Sequence, residues 1–330
     1  MSGVGVGHGE IAVGQLLEGT AYRLLEVLGR GASAVVYRAE HTKLRTRVVI
    51  KWMNATMSAD PDRAGRMRLE AQALARLAHP NLVAVTDSGV AGDRLFFVME
   101  DDGGVALEAA IGASGRLSPE DAVRAVGDVL EGLAFIHESG LVHRDLHPDN
   151  LLVSTRADGS RVVRILDLGL VKVLSGHEQH RLGPLALPTA EGTTLGTPRY
   201  MAPEQVRGGP VDARSDLYAI GCVLHRLLVG RDPYAHHATA GQVLAAQLAE
   251  PVRPPSTWLP DFGLGPALER ELMRALEKEP ARRFASAHEM SAALRAAVVA
   301  DGPARQSLPA PDSSEHPGLG GTIAITDVTP

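Results

Sequence analysis

Cysteine is almost absent. Cys222 is the only one in 330 residues, so no disulfide can form within the chain, which fits a reducing compartment. Long apolar runs are missing as well. A membrane-spanning helix needs ~18–20 apolar residues. The stretch AIGCVLHRLLVG, Ala219 to Gly230, is broken by His225 and Arg226 and reads as a buried helix instead. The start, MSGVGVGHGEIAVG, has neither the basic opening nor the long apolar core of a signal peptide. There is no excess of positive charge: the net charge is −6, so no basic surface advertises a nucleic-acid partner. The expectation is a soluble, cytoplasmic chain with no membrane span and no nucleic-acid partner. Lysine is also scarce. Lys43, Lys51, Lys172 and Lys278 stand alone among 33 basic residues. GC-rich codons account for such a bias, yet a lysine kept in an arginine-rich chain can mark a place where arginine would not serve.

The length allows two domains or one bilobal unit, and 45% hydrophobic residues suffice for a sizeable core. Residues 1–15 read as a Gly-rich, flexible start. From Tyr22, YRLLEVLGRGASAVVYRAEH and RTRVVIKWMN are rich in β-branched residues and punctuated by glycine, which predicts a hairpin and a further strand. DRAGRMRLEAQALARLA, Asp62 to Ala78, has helical spacing and ends at His79-Pro80, and LFFVMED is a short buried strand. After Gly103-Gly104 the pattern turns helical. Ser118, Pro119 and Asp121 form a helix start, and Gly140 forms its stop. Further helices are predicted over 213–230, 239–249, 265–277 and 286–299. Residues 301–330 are rich in Pro, Gly, Ser and Asp and read as a disordered tail. The fold class is α+β and bilobal: a β-rich lobe over about 16–102, a glycine hinge near 103, and a helical lobe over about 105–300.

Five local patterns bear on chemistry. GRGASAVV, Gly29 to Val36, is a glycine-rich turn that would let backbone amides approach a triphosphate. It lacks the G-K-[ST] ending of a Walker A loop and does not open a helix, so it is neither that loop nor a dinucleotide fingerprint. By itself a plain hairpin explains it better. VVIK puts Lys51 on a strand, and Glu70 on the next helix could pair with it, leaving a point charge suited to phosphate oxygens. LVHRDLHPDN, Leu141 to Asn150, gathers two His, two Asp, an Arg and an Asn in ten residues. ILDLGL then brings Asp167, and APE brings Glu204.

Taken in order, Gly29/Gly31, Val36, Lys51, Glu70, Asp145, Asn150, Asp167 and Ala202 to Glu204 resemble the eukaryotic-like serine/threonine protein kinases, most of all their bacterial members. The resemblance runs from about Tyr22 to about Ala300. It implies a bilobal protein-kinase-like fold that transfers the γ-phosphate of ATP to Ser/Thr hydroxyls of protein substrates, with Mg2+ or, in its place, Mn2+. Carried over, Asp145 is the catalytic base. Asn150 and Asp167 hold the metal ions, and Lys51, fixed by Glu70, contacts the α- and β-phosphates. Leu28, Gly29, Arg30, Gly31, Ala32, Ser33, Ala34 and Val36 cover the nucleotide. Val49 and Leu152 complete the adenine sandwich, with Met99 as gatekeeper. Glu100 and Asp102 meet adenine through their backbones, so that their side chains need not matter. His143 is structural. Thr189, Thr193 and Thr194 are candidates for activation-loop phosphorylation, with Arg144 to bind the phosphate and self-association to carry autophosphorylation. Thr197, the pair Glu204–Arg283, and Asp216 are architectural.

Three positions depart from the pattern. Ala34 replaces the third loop glycine and Leu168 replaces the phenylalanine of Asp-Phe-Gly; both are mild. His147 stands where these kinases carry a lysine that meets the γ-phosphate. Histidine is shorter, and with a reference pKa of about 6.5 it is mostly neutral at pH 7. His147 is therefore either a weaker catalytic stand-in or a sign of a nucleotide-binding pseudokinase that serves as scaffold or switch.

Overall fold

The computed structural model describes residues 11–31, 34–54, 77–92, 94–111, 115–156, 158–166, 197–258 and 263–302. Five strands form one antiparallel sheet: β1 (Tyr22–Arg30), β2 (Ala34–His41), β3 (Thr46–Met53), β4 (Val85–Ala91) and β5 (Arg94–Glu100), in the order β1-β2-β3-β5-β4. The period of two along a strand sorts its side chains. Val35, Tyr37 and Ala39 on β2, Ile50 and Trp52 on β3, and Phe96 and Val98 on β5 fill a core confined to this sheet. The alternate residues Ala34, Met53, Leu95 and Phe97 join the larger core beneath it. Strand β5 is buried on both faces, which explains its unbroken apolar run, LFFVM. Residues 11–17, partly within the stretch expected to be flexible, dock on β1. Gly14 N donates to Leu24 O at 2.8 Å, Leu24 N to Gln15 O at 2.9 Å, and Leu17 is buried.

Gly103, with φ of +71°, turns the chain out of the sheet, a conformation that glycine adopts without cost. A small second sheet follows, of β6 (Val105–Ala106), β7 (Leu151–Thr155) and β8 (Arg161–Ile165). The helices are α1 (Leu107–Ala110), α2 (Pro119–Glu138), α3 (Pro203–Arg207), α4 (Ala213–Val229), α5 (Ala240–Ala249), α6 (Pro266–Ala275) and α7 (Ala287–Asp301). Ser118 caps α2 by accepting from Asp121 N at 3.1 Å. Helix α4 is buried from Ser215 to Val229 except at Arg226, because its sequence is apolar nearly all round. Gly221 lets α6 approach it; a Cβ there would meet the Ala275 Cβ at 2.9 Å. Asp301 closes the lobe. Its carboxylate accepts from Ala267 N at 2.9 Å and Leu268 N at 2.8 Å, capping α6 from the end of α7. Residues 62–76 of the helix expected over 62–78 lie outside the described residues, as do residues 303–330 of the tail and the loop carrying Thr189, Thr193 and Thr194; Leu77 and Ala78 are not helical, and Asp301, expected to open the tail, ends α7 because its carboxylate caps α6.

Candidate active site

Strand register builds the upper wall. Gly29 pairs with Val36, Val36 with Lys51, and Lys51 with Phe97, while Val49 pairs with Met99. Partners directly opposite one another share a face. Val36, Val49, Lys51 and Met99 therefore line the side of the sheet away from its private core, below the turn that Gly31 N closes onto Ala34 O at 2.9 Å. Lys51 is buried. Leu28 is exposed at the rim, Ala34 is buried, and Val36, Val49 and Leu152 are half-buried. Leu152 lies on β7, where it pairs with Ala106 just past the hinge. Ala32, Ser33, Glu70 and Asp167 lie outside the described residues, so the Lys51–Glu70 pair and the second metal ligand stand on sequence alone.

The hinge has more in it than its backbone. Glu100 N donates to Ala84 O at 3.2 Å and is taken; the carbonyl is what this residue can offer a nucleotide. Its carboxylate accepts from Ala84 N at 3.0 Å and pairs with Arg164 of β8. Arg164 also donates to Asp102 Oδ2 at 2.8 Å and to Leu82 O at 2.8 Å. Asp102 further accepts from Ser154 Oγ at 2.5 Å and Gly104 N at 2.9 Å. Burial alone would raise the Asp102 carboxyl; the bonds from Ser154 and Arg164 outweigh it and hold it below the usual range. The side chains of Glu100 and Asp102, expected not to matter, thus clasp the hinge to both sheets. Sequence reasoning missed Arg164, whose one signal was an arginine within the apolar strand RVVRI.

The lower wall is the loop 141–150. Asp216, fully buried at the start of α4, accepts from His143 N and Arg144 N, each at 2.8 Å, and contacts His137 Nε2 at 2.8 Å. These bonds hold Arg144 at φ +66°, a left-handed conformation that costs a non-glycine residue energy. Gln205 Nε2 fixes Arg144 O at 2.9 Å. The buried His143 ring reaches Leu166 O at 3.2 Å and Asp145 N at 3.4 Å, so its two nitrogens serve the loop. Asn150 Nδ2 donates to Asp145 O at 2.8 Å, which brings the two functional side chains to one short turn. With its amide nitrogen spent, Asn150 has its oxygen left as a hard donor suited to a divalent cation.

His147 turns aside. Its Nδ1 lies 3.4 Å from Asp149 Oδ2, a polar contact and not a formed hydrogen bond, and its ring is 6.4 Å from that of Tyr200. The ring is mostly buried, while Asp149 is 70% exposed; the His147 contact holds the Asp149 carboxyl below its ordinary range.

Below the loop lies a shelf. Arg199 Nη1 and Tyr200 Oη donate to Asp232 at 2.8 and 2.6 Å, and Gln247 Nε2 donates to Arg199 O at 2.7 Å. Burial and the Asp232 carboxylate push the Tyr200 hydroxyl well up, keeping it a donor. The backbone of Thr197 begins this segment as a 3-10 turn, Thr197–Tyr200. Glu204 and Arg283 form a two-pronged ion pair at 2.8 and 2.8 Å, with Arg283 buried and Ser215 Oγ donating to Glu204 at 2.5 Å. Lys278 shows why arginine would not serve there. Its compact Nζ donates to the hydroxyls of both Tyr218, at 3.1 Å, and Tyr234, and burial lowers it to about 8.

Comparison with known proteins agrees with this geometry. The model of the protein kinase domain matches residues 22–291. The serine/threonine-protein kinase pkn3 of Myxococcus xanthus is 38% identical over 276 residues, 83% of this chain and 49% of its own length. PknB of Mycobacterium tuberculosis (strain ATCC 25618 / H37Rv) is 34% identical over 277 residues, 83% of this chain and 42% of its own. The chain thus spans half or less of the length of these curated relatives. The crystal structure of the Mycobacterium tuberculosis PknI kinase domain aligns with a TM-score of 0.64 at 25% identity, covering 88% of this chain and 100% of that one. No described helix is long and apolar enough to cross a membrane. Matched over most of its length, the chain belongs to the protein kinase family, beside the bacterial serine/threonine members, a family that uses ATP and a divalent metal.

Proposed function

We propose that the chain is a serine/threonine protein kinase acting in the cytoplasm, with ATP and magnesium, or manganese in its place. The observation that supports this most is the loop 143–150, closed by Asn150 on Asp145 and braced by Asp216. Asp145 accepts the proton of the substrate hydroxyl as it attacks the γ-phosphorus, and the ADP oxygen leaves in line. Lys51, held by Glu70, orients the α- and β-phosphates. Asn150 and Asp167 supply oxygen ligands, and magnesium, when bound, neutralises charge on the phosphates. Residues 28–34 and Val36 cover the nucleotide, Val49 and Leu152 sandwich the adenine beside Met99, and the Glu100 carbonyl and Asp102 backbone meet its edge. The shelf at 197–204 receives a Ser/Thr peptide. Phosphorylation at Thr189, Thr193 or Thr194, through self-association, orders the activation loop against Arg144. His147 supports transfer less well than lysine, since its ring is drawn to Asp149.

The test is transfer of labelled γ-phosphate to the chain and to a basic protein substrate. Wild type should incorporate label. Asp145→Asn should lose about 10²–10⁴-fold in rate, Lys51→Met should be silent, and His147→Lys should exceed wild type. Silence of wild type and of His147→Lys with nucleotide still bound would sink the proposal.

A further inference from the structure

Away from the cleft, at the far side of the shelf, two neighbouring histidines bend to one carboxylate. His236 Nε2 lies 3.0 Å from Glu250 Oε1 and His237 Nε2 lies 2.8 Å from Glu250 Oε2. One ligand atom from each residue falls within 4.8 Å of the others, and no other such group of three occurs among the described residues. We propose that His236, His237 and Glu250 bind one zinc ion, or a divalent transition ion of like preference, with water completing the coordination.

The donor set argues for this class. Two imidazoles and a carboxylate with an open fourth position suit zinc, whereas magnesium prefers oxygen ligands and keeps its waters. Geometry agrees. With Zn–N and Zn–O near 2.0–2.2 Å, ligand atoms around a tetrahedral ion sit about 3.3 Å apart. The observed separations are close enough that small ring rotations admit the ion, each imidazole then carrying its proton on Nδ1.

The ligands are also held before any ion arrives. Buried Tyr234 joins both halves: its hydroxyl donates to Glu250 O at 2.7 Å, and its carbonyl accepts from His237 N at 3.1 Å. The two rings lie 4.1 Å apart, centre to centre, where adjacent side chains usually diverge. The site is open to solvent, since His236 is 54% exposed at the edge of a cavity of about 280 Å³. Two arginines line the same cavity and oppose a cation. Arg231 is occupied, stacked 4.1 Å over the Trp258 ring; Arg253 weakens the affinity without occupying the ligand atoms. An ion here ties the end of α5 to the loop whose Asp232 holds Arg199 and Tyr200, and so stiffens the shelf.

The full chain, stripped with chelator, is titrated with zinc chloride by calorimetry in millimolar magnesium. One zinc per chain should bind, and zinc should raise the melting temperature. His236→Ala, at an exposed position, and His237→Ala should each weaken binding at least about tenfold, the factor expected for losing a ligand. Their double variant should lose both effects while melting like wild type without zinc. Cobalt(II) should give a visible d–d band in wild type only. No uptake by wild type, or uptake unchanged in the double variant, would overturn the proposal; if His237→Ala does not fold, His236→Ala alone decides. None of these measurements reads phosphate transfer, so failure here and failure of the kinase assignment are separate results.

Discussion

At the scale of single residues, Glu204 is a buried carboxylate whose state is set by its partners. Burial would raise its pKa, but Arg283 and Ser215 bond it and hold it below the ordinary range. A group depressed in the folded state stabilises fully above its unfolded pKa, about 4.3 for glutamate, and that contribution is lost as pH falls through the folded value. Urea midpoints between pH 7 and pH 3 should therefore fall with pH in wild type. Arg283→Met should cost about 3–5 kcal/mol at pH 7, because it leaves an uncompensated buried charge. It should also flatten the acid slope, since an unpartnered buried carboxyl titrates above its unfolded value while Asp102 and Asp149 still oppose acid. An unchanged slope would show that Glu204 is not the group responsible. Both members of this pair were legible as motif residues, as was Asp216. His147 was legible as a departure, but its contact with Asp149 was not, because that depends on a rotamer that sequence does not specify.

At the scale of elements, the period of two in β2, β3 and β5 decides which residues face the cleft, and it can be read from the sequence once the strands are known. The boundaries of α2, α4, α5, α6 and α7 follow their caps and apolar spacing closely. The elements that escaped are short or polar. Strand β4, VTDSGVA, has little apolar alternation, β6 is two residues long and pairs with β7 across some fifty residues, and β7 and β8 are five residues each. The hinge clasp escaped for the same reason, because Arg164 meets Glu100 and Asp102 across 64 and 62 residues. Arg164→Ala should free the hinge. The apparent KM for ATP should rise several-fold, with a smaller change in kcat, because positioning of the nucleotide is lost while the catalytic loop is untouched. Steady-state kinetics at varied ATP separates the two; a drop in kcat alone would reject the clasp as a nucleotide-positioning device.

At the scale of the molecule, the five-stranded sheet meets the rest of the chain through the hinge, through Ala34, Met53, Leu95 and Phe97 in the larger core, and through backbone bonds such as Val83 N to Ile165 O at 3.0 Å and Ile165 N to Asn81 O at 2.8 Å. A ligand gripping both walls should therefore stabilise the whole chain. Mg-ATP at a hundred times its Kd should add about 2.7 kcal/mol. That appears as a rise in melting temperature which Lys51→Met abolishes and His147→Lys retains. No shift in wild type would show that the nucleotide is not bound across the cleft.

The sequence by itself determined the kind of molecule this is. The order of Gly29, Lys51, Asp145, Asn150 and Glu204 along the chain, the glycine hinge and the buried helix at 213–229 follow from local residue types and spacing, which act over one strand or one turn. Only the tertiary structure decided how the parts are held. The clasp of Arg164 on the hinge, the grip of Asp232 on the shelf and the meeting of His236 and His237 with Glu250 join residues far apart in sequence or turned by one rotamer. Such contacts form only where packing has already brought the backbone together, and the chain carries no local pattern that announces them.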